Sequence, residues 1–384
     1  MITLALKRRD IERNVSSLGF FPAITGKLKM GAIFYWMLLF IPVSIFFALF
    51  TTNETLIFIT SILAIIPLAR IIGYSTKEIS LQTNPTVSGL VSATFGNAIE
   101  LIIAVFALKN GLLVVVQASL IGSIIGNILL LVGLSILFGG LRYKHQSFNN
   151  ETIAVSSTML IIVVAGLSIP SAYSFLSGMG VIKNGADHIQ TLGIAVAVVL
   201  ALIYIAGLVF SLLTHKDLFD ASDEMKATRE KPTMSKRLAA LLLLLSVIVV
   251  AVESEFLVRG IEGAASTIGI TQTFIGIVLI AIITNVAEKS TAIHFALEDK
   301  LDVSIEIGLS SAIQIALFVV PILMLISQVF NFGFSLVFTP FEILSVVLAV
   351  MIINYLSADG RCNWLEGAQL ISVYAIIAIA FFFI

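Results

Sequence analysis

The sequence predicts an all-α polytopic membrane protein of about eleven transmembrane helices, one N-terminal helix followed by two inverted five-helix repeats. Three observations predict it. The chain is 59% hydrophobic and 12% charged with a mean hydropathy of +1.09, and its apolar runs repeatedly reach the ~20 residues that span a hydrocarbon core. The polar stretch from His215 to Lys236 leaves five runs on either side once the first run is set aside. Two short motifs, Gly96-Asn97-Ala98-Ile99-Glu100 and Thr284-Asn285-Val286-Ala287-Glu288, repeat each other across that division.

The runs follow in order. Lys7, Arg8, Arg9 and Arg13 stand well before the first run, at 31–50, and no small-residue cleavage site follows it, so this span is expected to be retained. Runs at 55–75, 86–109, 112–138, 152–172 and 190–213 form the first group. The next stretch contains Pro232 and mixes acids with bases, which reads as a hydrophilic linker. Runs at 237–258, 272–297, 303–328, 335–356 and 364–384 form the second group. The expected organisation is 1–54, cytoplasmic N-terminus and first helix; 55–213, first repeat; 214–236, cytoplasmic linker; 237–384, second repeat.

Basic residues set the orientation. With the N-terminus inside, Lys7 to Lys29, Lys77, Arg142, Lys144, Lys216 to Arg237, Lys300 and Arg361 are cytoplasmic, and only Lys109, Lys183 and Arg259 fall outside, as the positive-inside rule requires. The C-terminus then lies outside. A unit of five spans re-enters the membrane with opposite topology, so the repeat is inverted. Its register agrees. Asn97 and Glu100 map onto Asn285 and Glu288 at one offset, Ser123 and Asn127 map onto Ser310 and Gln314 at nearly the same offset, and Glu78 has an upstream counterpart in Glu262.

A carboxylate near the bilayer centre costs at least a few kcal/mol unless it faces a cavity, a partner or a cation. Asn97 and Glu100 share one helical face, as do Asn285 and Glu288, so each face offers an amide oxygen and a carboxylate. Gly96 lets the backbone approach closely or break, and a broken helix exposes carbonyl oxygens and a positive end. Two carboxylates, two amides, nearby hydroxyls and water make the all-oxygen shell that calcium accepts with roughly six to eight ligands; magnesium, which dehydrates reluctantly, suits it less. Four histidines and a single cysteine, Cys362, argue against a soft-metal site and exclude an intrachain disulfide. Without a cation, two carboxylates in a poorly solvated site cannot both stay ionised cheaply, so they take up protons. One divalent ion and about two protons then compete for the same pair, which is the condition for antiport.

The first motif, followed by Ser119-Leu120-Ile121-Gly122-Ser123-Ile124-Ile125-Gly126-Asn127, resembles the first repeat of calcium/cation:proton antiporters of the CAX type, within the cation/calcium exchanger superfamily. Asp299-Lys300-Leu301-Asp302, leading into Ser310-Ser311-Ala312-Ile313-Gln314-Ile315-Ala316-Leu317-Phe318-Val319-Val320-Pro321, is similar to that family's second repeat. The resemblance implies an exchanger fold, calcium efflux driven by a proton gradient, and Glu100 and Glu288 as shared ligands of Ca2+ and protons, with no cofactor beyond the transported ion. The chain departs from the pattern twice. Thr284 stands where the family has glycine, which leaves symmetric helix breaking open but adds a hydroxyl. Lys289 stands where the family has histidine. An intramembrane lysine could pair with a carboxylate, but the position next to Glu288 points some 100° away, so Lys289 is expected to snorkel or to face another polar group. The family often carries an acidic helix between its halves; here Asp217, Asp220, Asp223 and Glu224 are balanced by bases, which reads as a solvated linker.

Other polar residues complete the expected site. Gln314 and Asn127 are expected to line it, with interhelical hydrogen bonding as the alternative, and Ser123 and Ser310 divide evenly between ligand and packing residue. Glu78, Glu255 and Glu262 are candidates for access paths or charged span ends. Glu298, Asp299, Asp302 and Glu306 read as a solvated cap rather than as a lure for cations at the cytoplasmic mouth, and His294 as packing rather than a proton relay. The expected partners are Ca2+, H+ and the lipid bilayer, not nucleic acid, and a homo-oligomer stays open. Short loops and a modest N-terminus favour a prokaryotic plasma membrane over a vacuolar one.

The alternative is a Na+/Ca2+ or other cation exchanger of the same superfamily, whose repeats place proline directly before the motif glutamate; Ile99 and Ala287 stand there instead. A cation channel fits inverted halves in one protomer less well. No His-Glu-x-x-His motif or nucleophile–base pair supports an enzyme.

Overall fold

In an apolar solvent the backbone can satisfy its polar groups only internally, so long apolar runs become helices. The computed structural model describes residues 32–182, 185–215, 232–357 and 360–384. Lys7 to Lys29, Lys183 and the acids Asp217, Asp220, Asp223 and Glu224 lie outside the described residues. The first half comprises α1 (Ile33–Phe50), α2 (Glu54–Ser80), α3 (Pro85–Phe95), α4 (Ala98–Lys109), α5 (Leu113–Arg142), α6 (Asn150–Gly178) and α7 (Gly185–Val209). The second comprises α8 (Lys236–Ile268), α9 (Gln272–Thr284), α10 (Val286–Leu297), α11 (Leu301–Phe330), α12 (Pro340–Leu356) and α13 (Trp364–Phe383). A short antiparallel pairing joins β1 (Gln146–Ser147) to β2 (Arg361–Cys362), tying a loop of one half to a loop of the other.

Helix starts are written locally. The side chains of Asn53, Asn84 and Ser235 accept hydrogen bonds from the backbone N–H groups of Leu56, Val87 and Leu238, and Thr339 and Asn363 form capping boxes with Glu342 and Glu366. Among the described residues nine helices are long and apolar enough to cross a bilayer, or ten if α9 and α10, bent by 57°, form one span. The expected run at 335–356 is shorter than predicted: residues 332–339 are not helical, because the Thr339–Glu342 box starts α12 at Pro340. Its 17 residues rise about 25 Å, less than a hydrocarbon core of about 30 Å.

α5 and α11 form the centre, where Ile121, Ile124, Ile128, Leu309, Ala316 and Leu323 are fully buried. α1, α7 and α13 lie at the periphery and expose Phe50, Leu202 and Phe383 towards the lipid. α2 and α8, which open the two halves, run side by side, with Gly260 and Gly263 seated against Glu54 and Phe58. The halves cross where Gly122 of α5 meets the backbone of Ile277 and Gly276 of α9 meets Ala118 and Val115. A side chain at either glycine would strike the other helix, so the crossing requires hydrogen there.

Both central helices carry one π turn, at Gly126–Leu131 in α5 and at Ile315–Val319 in α11. In α11 the cause is Pro321, which has no N–H to give the Leu317 carbonyl and loosens the turn before it. These widened turns follow directly after Ile125 and Gln314, beside the polar residues described next.

Candidate functional site

Two helices break at an asparagine. Asn97 separates α3 from α4 with φ −108° and ψ 27°, and Asn285 separates α9 from α10 with φ −97° and ψ 15°. The break is therefore present in both halves, although Thr284 stands where the first motif has Gly96. Glycine is not needed for the conformation, since Gly96 itself is right-handed at φ −55°. Its role is space: a Cβ at Gly96 would sit 2.7 Å from the Ser92 carbonyl oxygen and 3.3 Å from Gln314 Oε1. In the second half the Asn285 amide donates to the Ala281 carbonyl at 3.0 Å while its backbone N–H turns to Ile283, so side chain replaces backbone in the helical ladder.

The breaks are cross-linked by amides. Asn97 Nδ2 donates to Gln314 Oε1 at 2.7 Å. In the mirrored position Asn127 Nδ2 donates to Asn285 Oδ1 at 3.4 Å and to Ser311 Oγ at 2.8 Å, and Asn285 Nδ2 donates to Ser123 Oγ at 3.4 Å and Thr284 Oγ1 at 3.1 Å. Each asparagine thus reaches the central helix of the other half. Ser311 Oγ lies 2.9 Å from Glu288 Oε2 and 3.3 Å from Asn97 Oδ1, joining one carboxylate to the opposite motif. The Thr284 hydroxyl meets the Glu100 carboxylate, and Glu100 and Glu288 lie within each other's field.

Ser311, rather than Ser310, faces the carboxylates; the Ser310 hydroxyl is 3.3 Å from the Ile307 carbonyl oxygen. The offset of 188 that relates Glu100 to Glu288 carries Ser123 to Ser311, so strict register could have identified it.

Of the two alternatives expected for Lys289, the structure shows the second, facing another polar group. The lysine does not snorkel: its side chain is buried at 7% exposure, Nζ donates to the Ala281 carbonyl at 3.3 Å, and its charge acts on both Glu288 and Glu100. The break accounts for this. An unbroken helix would separate neighbouring side chains by about 100°, but at the 57° break the Ala281 carbonyl accepts from two side chains, Asn285 Nδ2 and Lys289 Nζ.

A cavity of about 460 Å³ leads to this cluster. Its lining includes exposed Lys77, Ser92 and Gly96, buried Ile72, Thr76, Thr284 and Ser311, and part-buried Ser80, Glu288, Ser310 and Gln314. Glu288 meets the cavity, whereas Glu100 is buried behind it. Asn97, Asn285, Asn127 and Ser123 are buried in the hydrogen-bonded wall.

The remaining acids stand apart. Glu78 is buried and accepts hydrogen bonds from the backbone N–H groups of Thr233 and Met234, at 2.9 and 3.2 Å, so it anchors the start of the second half instead of lining this cavity. Glu255 pairs with Lys109 at 3.5 Å, and Glu262 is exposed on α8. His294 is exposed and pairs with Glu298 at 3.2 Å; it is neither a packing residue nor near the carboxylates' hydrogen-bond network. Glu306 departs from the solvated cap: it is partly buried and accepts from Ser156 at 3.2 Å. No group of three or more His, Cys, Asp or Glu side chains that could hold a metal occurs among the described residues. Any cation here relies on two carboxylates supplemented by amide and hydroxyl oxygens, a hard donor set.

Comparison with known proteins agrees with this architecture. The chain is 41% identical over 368 residues to a Ca(2+)/H(+) antiporter of Aphanothece halophytica, covering 93% of this chain and 98% of that one. It is 39% identical over 344 residues to the Ca(2+)/H(+) antiporter ChaA of Bacillus subtilis (strain 168), covering 89% and 96%. The native YfkE structure superposes with a TM-score of 0.78 at 36% identity, over 92% of this chain and 100% of that chain. The H+/Ca2+ exchanger CAX structure, at 16% identity and a TM-score of 0.62 over 91% of each chain, shares the fold. Residues 53–213 and 238–383 both match the sodium/calcium exchanger protein family, with one match in each half, and the chain belongs to that family.

Proposed function

We propose that this multi-pass membrane protein exchanges Ca2+ for H+ by alternating access, with Glu100 and Glu288 occupied in turn by the cation or by protons. One observation carries the reading: Glu288 lines the cavity within the field of Glu100 from the other half, beside a shell of amide and hydroxyl oxygens. Two mutually repelling carboxylates removed from bulk water are costly without counter-charge. Ca2+ or protons relieve that cost, and each excludes the other. The names of the relatives at 41% and 39% identity support the same ion pair.

In the cycle we infer, Ca2+ enters the cavity from the end lined by Lys77 and Ser92 and meets Glu288 first, with Glu100 behind it. Asn97, Gln314, Ser311 and Thr284 lie within reach of the pair to replace part of the ion's hydration shell, and Asn127, Asn285 and Ser123 brace that wall. The opening helices of each half then move relative to the bundle and expose the pair on the other side. External protons neutralise the emptied carboxylates and permit return. The positive-inside assignment makes the Lys77 side cytoplasmic, so the direction is calcium efflux, in a prokaryotic plasma membrane.

Calcium uptake into proteoliposomes under an imposed pH gradient, in sodium-free buffer, tests this. Uptake is expected to follow the gradient and to vanish with a protonophore. Uptake that ignores protons and responds to sodium would move the chain to Na+/Ca2+ exchange.

A further inference from the structure

Glu253 sits near the middle of α8 with none of its surface exposed, outside the network of Glu100 and Glu288. The groups facing it are hydroxyls. Ser44 of α1 lies 2.7 Å from Oε1, Ser61 of α2 flanks the carboxyl, and Oε2 has no hydrogen-bond partner among the described residues. No charged side chain acts on it among the described residues. Glu255, two residues further along α8, is engaged with Lys109 of α4, and Arg70 of α2 with Ser290 and the Phe34 ring.

Counting hydrogens fixes the chemistry. Ser44 Oγ is 2.8 Å from the Ile41 carbonyl oxygen as well as 2.7 Å from Glu253 Oε1. A serine hydroxyl has one hydrogen and a carbonyl has none. Both contacts are hydrogen bonds only if the second hydrogen belongs to the carboxyl. Ser44 then donates to Ile41, and Glu253 donates to Ser44 as a carboxylic acid. An ionised carboxylate at the same place would bury a negative charge with no counter-charge, faced only by the Ser44 and Ser61 hydroxyls.

The position of this bond gives it a consequence. α1 lies outside the two five-helix halves, and Ser44 and Ala48 are the buried residues of its main segment. Ser44 is therefore its polar anchor on α2 and α8, the helices that open the two halves. We propose that Glu253 is a second proton-binding site, separate from the exchange pair, and that its bound proton docks α1 onto the α2–α8 pair. A proton from water adds to the carboxylate to make the acid and leaves again at alkaline pH, when the charged group recruits water and α1 loosens. This inference does not depend on which ions the central site exchanges.

Infrared difference spectroscopy of the full chain in liposomes tests the proton. The C=O stretch of a buried carboxylic acid is expected at neutral pH, lost in Glu253→Gln and insensitive to Ca2+; wild-type and E253Q spectra that coincide would overturn the proposal. Ser44→Ala keeps the acid and removes its acceptor, so the band should persist but shift. An unmoved band would overturn the assigned partner, and this variant keeps the test open should E253Q fold poorly. Docking is read from Trp36 emission in a Trp364→Phe background, since the two are the chain's tryptophans. Raising the pH is expected to shift Trp36 emission in the wild type but not in E253Q, whose amide still donates to Ser44. Equal responses in the two proteins would overturn the docking role.

Discussion

Glu288 meets the cavity while Glu100 stands behind it, so the two carboxylates are inequivalent in this conformation although the repeat makes them equivalent over a full cycle. Glutamine at either position preserves shape and removes the negative charge that attracts Ca2+. Breaking one side of a buried charge interaction costs about 3 kcal/mol or more, which is about 100-fold. Glu100→Gln and Glu288→Gln are each expected to lower calcium-driven proton release by that factor; near-normal release in either would remove that carboxylate from the site. Lys289 works in the opposite direction. Its ammonium acts on both carboxylates, and unit charges about 4 Å apart interact by a few kcal/mol at an effective dielectric constant of about 20, so it offsets part of the negative charge offered to a cation. Lys289→Gln should therefore lower the KM for Ca2+ by about tenfold or more; an unchanged or raised KM would show that its charge does not oppose cation binding. Glutamates and asparagines were legible in the sequence because polar residues inside apolar runs stand out. Lys289 was not, because its direction depends on the bend at Asn285, and Ser311 was obscured by Ser310 directly before it.

Helices were the most legible level, since run length and local caps determine where most of them begin. α12 fell short of its hydrophobic run because Phe332, Phe334, Leu336 and Phe338 are apolar without being helical; Phe334 is buried and its backbone N–H goes to Ser327 Oγ at 2.8 Å. Periodicity cannot separate such a packed extended segment from a helix turn. The crossing of the two halves was not legible, because a glycine inside an apolar run does not name the helix it packs against. Gly276→Val pushes a branched side chain onto Ala118 and the Val115 backbone, an overpacking that typically costs about 1–3 kcal/mol. It should lower the thermal midpoint in detergent. Gly73→Ala is the control, because nothing lies within 4 Å of the added Cβ. Equal midpoints for the two variants would show that the crossing is not held tightly.

At the scale of the whole molecule the cavity decides which side reaches the proposed exchange site. Its lining runs from Lys77 and Ser92 to Ser310 and Glu288, on the face where Glu78 holds the start of the second half at Thr233. α5 and α9 close the crossing beyond it through Gly122 and Gly276. One-sided access of this kind is what an inverted repeat produces when only one half has opened. The expectation can be tested with a single cysteine. Cys362 is buried and is the chain's only cysteine, so Ser310→Cys in a Cys362→Ser background places one reactive thiol on the cavity wall. A membrane-impermeant thiol reagent should label it from the side bearing the 232–235 segment and much more slowly from the other, and Ca2+ should slow labelling by occupying the neighbouring carboxylates. Equal rates from both sides would mean that the pair is open through the membrane, as in a channel. Labelling that ignores Ca2+ would separate the cavity from the cation site.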